Sequence, residues 1–222
     1  MLEIDALKII ETIKTDIQII RLYLNEEDQL VLTLDKFVQF KEGKEEQTFH
    51  KELVDIAIDL HPNPKSFLLL GAGDGLCSRN ILNKVINPEI TLVDFDEKMV
   101  NLCRTYERIV KLNKGSLDKG IFYYENAIEW VKTNDKLFDI IILDLPDATS
   151  EKFKSLYTKE FYYNTIQHLN KEGIISIQVN PKIANEIAKK IKDILGNSIM
   201  KIFPFFWQLE GAVVIGKNES NL

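Results

Sequence analysis

Four places in this 222-residue chain put glycine, carboxylate or carboxamide residues directly after a short apolar run. Ser66 to Leu70 leads into Gly71-Ala72-Gly73-Asp74-Gly75, and Thr91 to Val93 into Asp94-Phe95-Asp96. Ile121 to Tyr124 leads into Glu125-Asn126, and Ile140 to Leu143 into Asp144-Leu145-Pro146-Asp147. Glycine lets a backbone turn tightly and approach a ligand closely, although a Gly-x-Gly turn by itself is also compatible with a structural role. Asp94 follows at the separation expected of a carboxylate that hydrogen-bonds ribose hydroxyls, so Gly71, Gly73 and Asp94 together indicate a nucleoside site. The alternative for Asp94 is a helix N-cap, which Asp96 can supply instead. Asn126 reads equally as a contact to an adenine edge or as an N-cap.

The fourth residue of the glycine turn narrows the ligand. A dinucleotide fingerprint would place a third glycine at position 76, which is Leu76, and Asp74 would face the pyrophosphate. A carboxylate there repels phosphate and attracts an ammonium or sulfonium, which points to a cofactor of the S-adenosylmethionine type. Asp144 and Asp147, with Pro146 stiffening the turn between them, can hold a cationic amine and accept its proton. An alkyl ammonium has a pKa of about 10.4. The base therefore acts as nitrogen becomes bonded to carbon and its proton turns acidic. The plainer alternative is a solvated acidic loop that caps a helix.

These residues need a scaffold that delivers strand ends to one place. After His61-Pro62-Asn63-Pro64 the chain alternates strand-like and helix-like runs. Strands are expected at Phe67–Leu70, Ile90–Val93, Ile121–Tyr124, Asp139–Leu143 and Gly173–Val179, with Ile199–Phe203 and Gly211–Ile215 closing the sheet. Helices are expected near Ser78–Val85, Glu97–Lys111, Ala127–Lys132, Thr158–Leu169 and Ala184–Leu195. This is an α/β pattern: a Rossmann-like, doubly wound, mostly parallel sheet of the S-adenosylmethionine-methyltransferase type, with ligands beyond the carboxyl ends of the strands. Ahead of it, Ile17–Leu24 and Gln29–Leu34 flank the polar turn Asn25-Glu26-Glu27-Asp28 as a hairpin, and Phe37–Phe40 stays strand-like before a charged loop, Lys41 to Glu46. Thr48 to Leu60 has helical spacing, while Leu2 to Lys14 cannot be typed. The expected division is a small N-terminal β element with its connecting helix over 1–62 and the nucleoside-binding domain over 63–222.

Composition sets outer bounds. A net charge of -6 makes nucleic acid an unsuitable general partner, because phosphate binding wants a basic face. No apolar run approaches the roughly 20 residues that span a bilayer, so no membrane association is expected. Cys77 and Cys103 read as reduced core thiols of a cytoplasmic chain with no secretory leader. His50, His61 and His168 do not fall with cysteine at metal-ligand spacing, so no metal site is expected.

On these motifs the chain resembles the spermidine synthase (polyamine aminopropyltransferase) family, from about Ile17 to Ile215. The glycine turn resembles the family's Gly-Gly-Gly-Asp-Gly, and Val93-Asp94-Phe95-Asp96 its ribose-binding strand end. Asp144-Leu145-Pro146-Asp147 resembles its Asp-x-x-Asp catalytic loop, and Leu156-Tyr157-Thr158-Lys159-Glu160-Phe161-Tyr162 the helix start that follows it. Upstream, Val38-Gln39-Phe40 and Phe49-His50 fall where the family has a Gln and a Tyr-His-Glu segment. The resemblance implies aminopropyl transfer from decarboxylated S-adenosylmethionine, as co-substrate, to a di- or polyamine such as putrescine. It implies no permanently bound cofactor and a dimer formed through the N-terminal hairpin. Gln39, Asp94 and Asn126 would contact adenosine, and Asp74 the ammonium of the aminopropyl arm. His50 would line the pocket, Asp144 would deprotonate the amine with help from Asp147, and Tyr157 would close the site.

The chain departs from that pattern at Phe49 for Tyr, Lys51 for Glu, Asn126 for Asp and Ala148 for Pro, and its C-terminal half is short. Phe205, Phe206 and Trp207 would either supply an aromatic wall or pack in the core. The departures spare Asp74, Asp144 and Asp147 and bear on the acceptor amine. Two other functions compete: a methyltransferase using intact S-adenosylmethionine, whose carboxylate would meet Asp74, and a family member that keeps only the nucleoside pocket.

Overall fold

The computed structural model describes residues 7–146, 151–204 and 210–219. Asp147 and Ala148 of the acidic loop, and Phe205, Phe206 and Trp207 of the expected aromatic wall, lie outside the described residues.

The N-terminal part is a four-stranded antiparallel sheet in the order β1 (Lys8–Lys14), β2 (Ile19–Leu24), β3 (Leu30–Leu34), β4 (Phe37–Lys41). The hairpin expected from the polar turn is β2–β3. Strand β1 escaped typing because nearly all its side chains are exposed, so no buried face patterns its sequence. The charged stretch after β4 does not remain a loop. Helix α1 (Lys44–His50) begins within it and runs through one π-helical segment, Lys51–Asp55, into α2 (Ile56–Leu60). Phe49, Leu53, Val54, Ala57 and Ile58 form the buried stripe of this helix.

The second sheet has seven strands in the order β10-β11-β9-β8-β5-β6-β7. They are β5 (Ser66–Leu70), β6 (Glu89–Val93), β7 (Ile121–Tyr123), β8 (Phe138–Leu143), β9 (Leu169–Val179), β10 (Ile199–Pro204) and β11 (Glu210–Lys217). Pairings from β7 through β9 are parallel, and β11 and β10 close the edge antiparallel. Helices α3 (Leu76–Lys84), α4 (Glu97–Thr105), α5 (Glu107–Asn113), α6 (Ala127–Thr133), α7 (Lys159–Ile166) and α8 (Pro181–Leu195) connect the strands. The central strands are unbroken apolar runs because both of their faces are covered. Phe67, Leu69, Ile140 and Ile142 face one core, shared with Leu22, Leu32 and Phe40 of the first sheet. Leu68, Leu70, Ile141 and Leu143 face the other core, against Trp130, Phe161 and Ile187.

Two elements differ from the sequence expectation. The helix expected over 97–111 is two helices meeting at Tyr106, whose backbone is extended (φ -73°, ψ 109°). Thr105 Oγ1 donates to the Asn101 carbonyl 2.7 Å away, a back-bond that competes with the helix ladder at that turn. The helix expected to reach Leu169 stops at Ile166, and β9 starts at Leu169 rather than Gly173. His168 sets that boundary. Its ring nitrogens lie 2.7 Å from the Lys136 carbonyl and 2.9 Å from that of Val131, and its own carbonyl accepts from Phe138 N.

The chain leaves β5 toward β6 and β7 on one side, then returns to lay β8 on the other. The carboxyl ends of β5 and β8 thus form a topological switch point, where α/β sheets open a ligand crevice.

Candidate active site

The glycine turn sits at this switch point and is tied to both neighbours. Gly71 N donates to the Val93 carbonyl at 2.9 Å, and Asp144 N donates to the Leu70 carbonyl at 3.0 Å. Gly71 has φ +95°, a left-handed conformation, and any Cβ there would collide with the Asp144 backbone. A Cβ on Gly73 would lie 2.5 Å from Asp94 Oδ2, so the glycine is what lets that carboxylate reach the turn. Asn113 Nδ2 donates to the Asp74 carbonyl at 2.9 Å and Ser116 Oγ to that of Gly75 at 2.6 Å.

Asp94 does not cap α4. Asp96 does, accepting from Met99 N at 3.2 Å, and Thr15 and Gln18 also donate to it from the loop after β1. Asp94 accepts from Asp96 N at 3.0 Å. Burial pushes its pKa up to about 7, against the opposing backbone hydrogen bond from Asp96.

Asp74 is buried and accepts from Leu76 N at 2.9 Å in the first turn of α3. Burial raises its pKa, and the nearby His50 opposes that rise. Asp144, just past β8, keeps 18% of its side chain exposed. Burial lifts its pKa to about 6, with the negative charge of Asp74 adding to the rise. Its Oδ2 accepts from Cys77 Sγ at 3.5 Å and lies 4.0 Å from His50 Nε2.

His50, at the last turn of α1, is 1% exposed. Its Nδ1 stands 2.8 Å from Glu46 Oε1 and 2.9 Å from the Glu46 carbonyl, one helical turn back. Burial alone would push its pKa down. The hydrogen bond to Glu46 and the charges of Asp74 and Asp144 outweigh that and raise it. Arg79 of α3 grips Glu46 with both nitrogens, at 2.6 and 3.1 Å. Burial would raise the Glu46 pKa, but His50 and Arg79 hold it down at about 2. Glu46 and Arg79 have no motif signature in the sequence, because they meet only through the packing of α1 on α3.

The remaining residues singled out in the sequence sit outside this cluster of charges. Asn126 caps α6, accepting from Ile128 N at 2.9 Å, so its oxygen is engaged and its amide nitrogen is the half left for an adenine edge. Gln39 is partly exposed on β4 and donates to the Phe37 carbonyl at 3.2 Å. Tyr157, buried in the turn before α7, donates its hydroxyl to the Pro146 carbonyl at 3.0 Å and so anchors the acidic loop. Phe49, the departure from Tyr, packs edge-on against the His50 ring at 4.9 Å and near Phe203 of β10 at 6.3 Å.

Comparison with known proteins places the chain in a family. The model of the spermine/spermidine synthase domain matches residues 46–209. The chain belongs to the spermine/spermidine synthase family. Among relatives of this family member, a polyamine aminopropyltransferase of Leptospira interrogans is 33% identical over 153 residues, covering 68% of this chain and 30% of the relative. Another, from Oceanobacillus iheyensis, is 31% identical over 176 residues, covering 78% and 34%. The chain thus spans about a third of the length of these two relatives. A crystal structure of spermidine synthase in complex with the transition-state analogue AdoDATO superposes with a TM-score of 0.85 at 24% identity, covering 95% of this chain and 74% of that one. The shared fold is the methyltransferase-like α/β sheet preceded by a small antiparallel sheet.

Proposed function

We propose that this protein transfers the aminopropyl group of decarboxylated S-adenosylmethionine to a di- or polyamine such as putrescine, releasing methylthioadenosine. The observation that carries the proposal is the convergence of two carboxylates, buried Asp74 and half-buried Asp144, on one imidazole at the switch point, with Asp144 Oδ2 4.0 Å from His50 Nε2. Family membership and the similarity to polyamine aminopropyltransferases support it.

In this reading Asp94 accepts the ribose hydroxyls, Gly71 and Gly73 admit the donor's backbone-facing edge, and Gln39 and Asn126 approach the adenine. Asp74 receives the ammonium of the aminopropyl arm. Asp144, assisted by Asp147, orients the acceptor amine and takes its proton as the nitrogen–carbon bond forms and the carbon–sulfur bond breaks. A carboxylate with a pKa near 6 is a better base at neutral pH than an ordinary one, yet remains largely ionised. The leaving group is a neutral thioether, so catalysis consists of positioning and charge placement. His50, raised toward its charged form, offsets part of the repulsion between the two carboxylates. Tyr157 holds the acidic loop through Pro146.

A methyltransferase using intact S-adenosylmethionine is disfavoured, since its carboxylate would be brought against buried Asp74. Two buried thiols, Cys77 and Cys103, support a reducing, cytoplasmic setting. Among the described residues no helix is long and apolar enough to cross a membrane. Exposed Ile9 and Ile10 on β1 support self-association through the N-terminal sheet.

The test supplies each donor with a mixture of diamines and identifies the nucleoside product. Methylthioadenosine from the decarboxylated donor is the expected result. S-adenosylhomocysteine from the intact one would overturn the proposal.

A further inference from the structure

Three different donor atoms from three elements converge at the switch point of the sheet. His50 Nε2 at the end of α1, Cys77 Sγ in the first turn of α3 and an Asp144 carboxylate oxygen after β8 all lie within 4.8 Å of one another. The Sγ–Oδ2 separation is 3.5 Å and the Nε2–Oδ2 separation 4.0 Å. A tetrahedral zinc ion, with bonds of about 2.0–2.3 Å, needs its ligand atoms about 3.3–3.7 Å apart. Two of the three separations are within a few tenths of an ångström of that shape, and the third, bounded by 4.8 Å, closes by about 1 Å at most to reach it.

An independent observation points the same way. His50 is 1% exposed, and its Nε2 makes no hydrogen bond among the described residues. A buried ring nitrogen without a partner is costly unless something occupies it. The other nitrogen, Nδ1, is fixed by the Glu46 carboxylate at 2.8 Å, and Arg79 fixes that carboxylate in turn. A carboxylate on the distal nitrogen is the outer-shell arrangement that orients a metal-bound histidine.

We propose that His50, Cys77 and Asp144 form a site for a thiophilic divalent cation of the zinc class, whose binding blocks the amine end of the crevice. The donor set is one imidazole, one thiolate and one carboxylate, with a fourth position open. Nitrogen and sulfur donors suit zinc and disfavour magnesium and calcium, which prefer all-oxygen shells. The thiolate and carboxylate together balance the charge of the ion. The thiol proton of Cys77, and the Nε2 proton when His50 carries one, leave to solvent as the metal–sulfur and metal–nitrogen bonds form. An Asp144 oxygen bound to metal cannot accept a proton from an amine, and the ion repels ammonium groups. The cation is thus an inhibitor of the proposed transfer; only this blocking consequence rests on that functional reading.

Cobalt(II) titration of the whole protein tests the site without reference to activity. The expected result is a thiolate-to-cobalt charge-transfer band in the near ultraviolet that zinc displaces and magnesium does not. The band is lost in Cys77→Ser, retained in Cys103→Ser and weakened about tenfold or more in affinity in His50→Gln. No band in the wild-type protein, or a band that survives Cys77→Ser, overturns the site. In the activity arm, zinc inhibits competitively with the amine, and Cys77→Ser raises the inhibition constant about tenfold or more relative to that variant's own rate. A band with zinc-insensitive turnover overturns the blocking role. A band in a protein that transfers no aminopropyl group upholds the metal site and removes the functional reading instead.

Discussion

Glu46 Oε1 lies 2.8 Å from His50 Nδ1, one helical turn away, and the same oxygen lies 2.6 Å from Arg79. Through this pair a salt bridge in the body of the protein fixes an imidazole at the mouth of the sheet. Removing one partner of a buried ion pair leaves the other charge uncompensated, at a cost of about 3–5 kcal/mol. Glu46→Ala is expected to lower stability by that much, read from the midpoint of urea denaturation. Pairing it with Arg79→Met should recover a large part of the loss. A single variant within 1 kcal/mol of wild type, on the order of an exposed pair, would contradict the geometry.

Stability without ligand should pass through a maximum in mildly acidic solution. Glu46 is depressed to about 2 in the folded chain, so its contribution is present above its unfolded value of 4.5 and disappears as pH falls toward 2. Asp94 is raised to about 7, so its contribution is complete below its unfolded value of 3.8 and disappears as pH rises through 7. Glu46 thus favours pH 5 over pH 3, and Asp94 favours pH 5 over pH 8. Thermal denaturation across pH 3–9 measures it; a midpoint that climbs steadily from pH 5 to pH 8 would be inconsistent.

Gly73 and Asp94 should behave as one unit. A Cβ at position 73 would lie 2.5 Å from Asp94 Oδ2 and force the carboxylate away. Gly73→Ala and Asp94→Ala are each expected to weaken binding of methylthioadenosine by about 1–3 kcal/mol, the range for a hydrogen bond to a charged group. The double variant should lose little more than either alone. Fluorescence or calorimetric titration gives the three affinities, and simple additivity would separate the two residues.

Binding of the cationic donor should release protons near pH 6. Asp144 and Asp94 are held up to about 6 and about 7, so both are partly protonated there. An arriving positive charge and ribose hydroxyls favour the ionised forms. Affinity for the donor is therefore expected to rise between pH 5 and pH 7. Calorimetry in two buffers of different ionisation enthalpy counts the protons, and net uptake would be the wrong sign.

Strand ends were legible in the sequence because a buried parallel strand is a short apolar run that must stop where the ligand begins. Asp74, Asp94 and Asp144 were placed on that ground alone, and the turn residues Gly71 and Gly73 with them. Strand β1 was not, since its exposed side chains carry no alternation to read. The break at Tyr106 and the early start of β9 depend on a threonine back-bond and on buried His168, both decided by local or tertiary hydrogen bonds. The Glu46–Arg79 ion pair and the contact of Cys77 with Asp144 join residues distant in sequence. Only packing brings them together, so neither spacing nor composition could announce them.

Asp144 carries the central claim, and one variant isolates it. Asp144→Asn keeps the shape and the backbone hydrogen bond to Leu70 while removing the proton acceptor. With decarboxylated S-adenosylmethionine and putrescine, methylthioadenosine formation is expected to fall by about 10²-fold or more, while affinity for the donor stays within a few-fold of wild type. Turnover in Asp144→Asn equal to that of the wild-type chain would contradict the account.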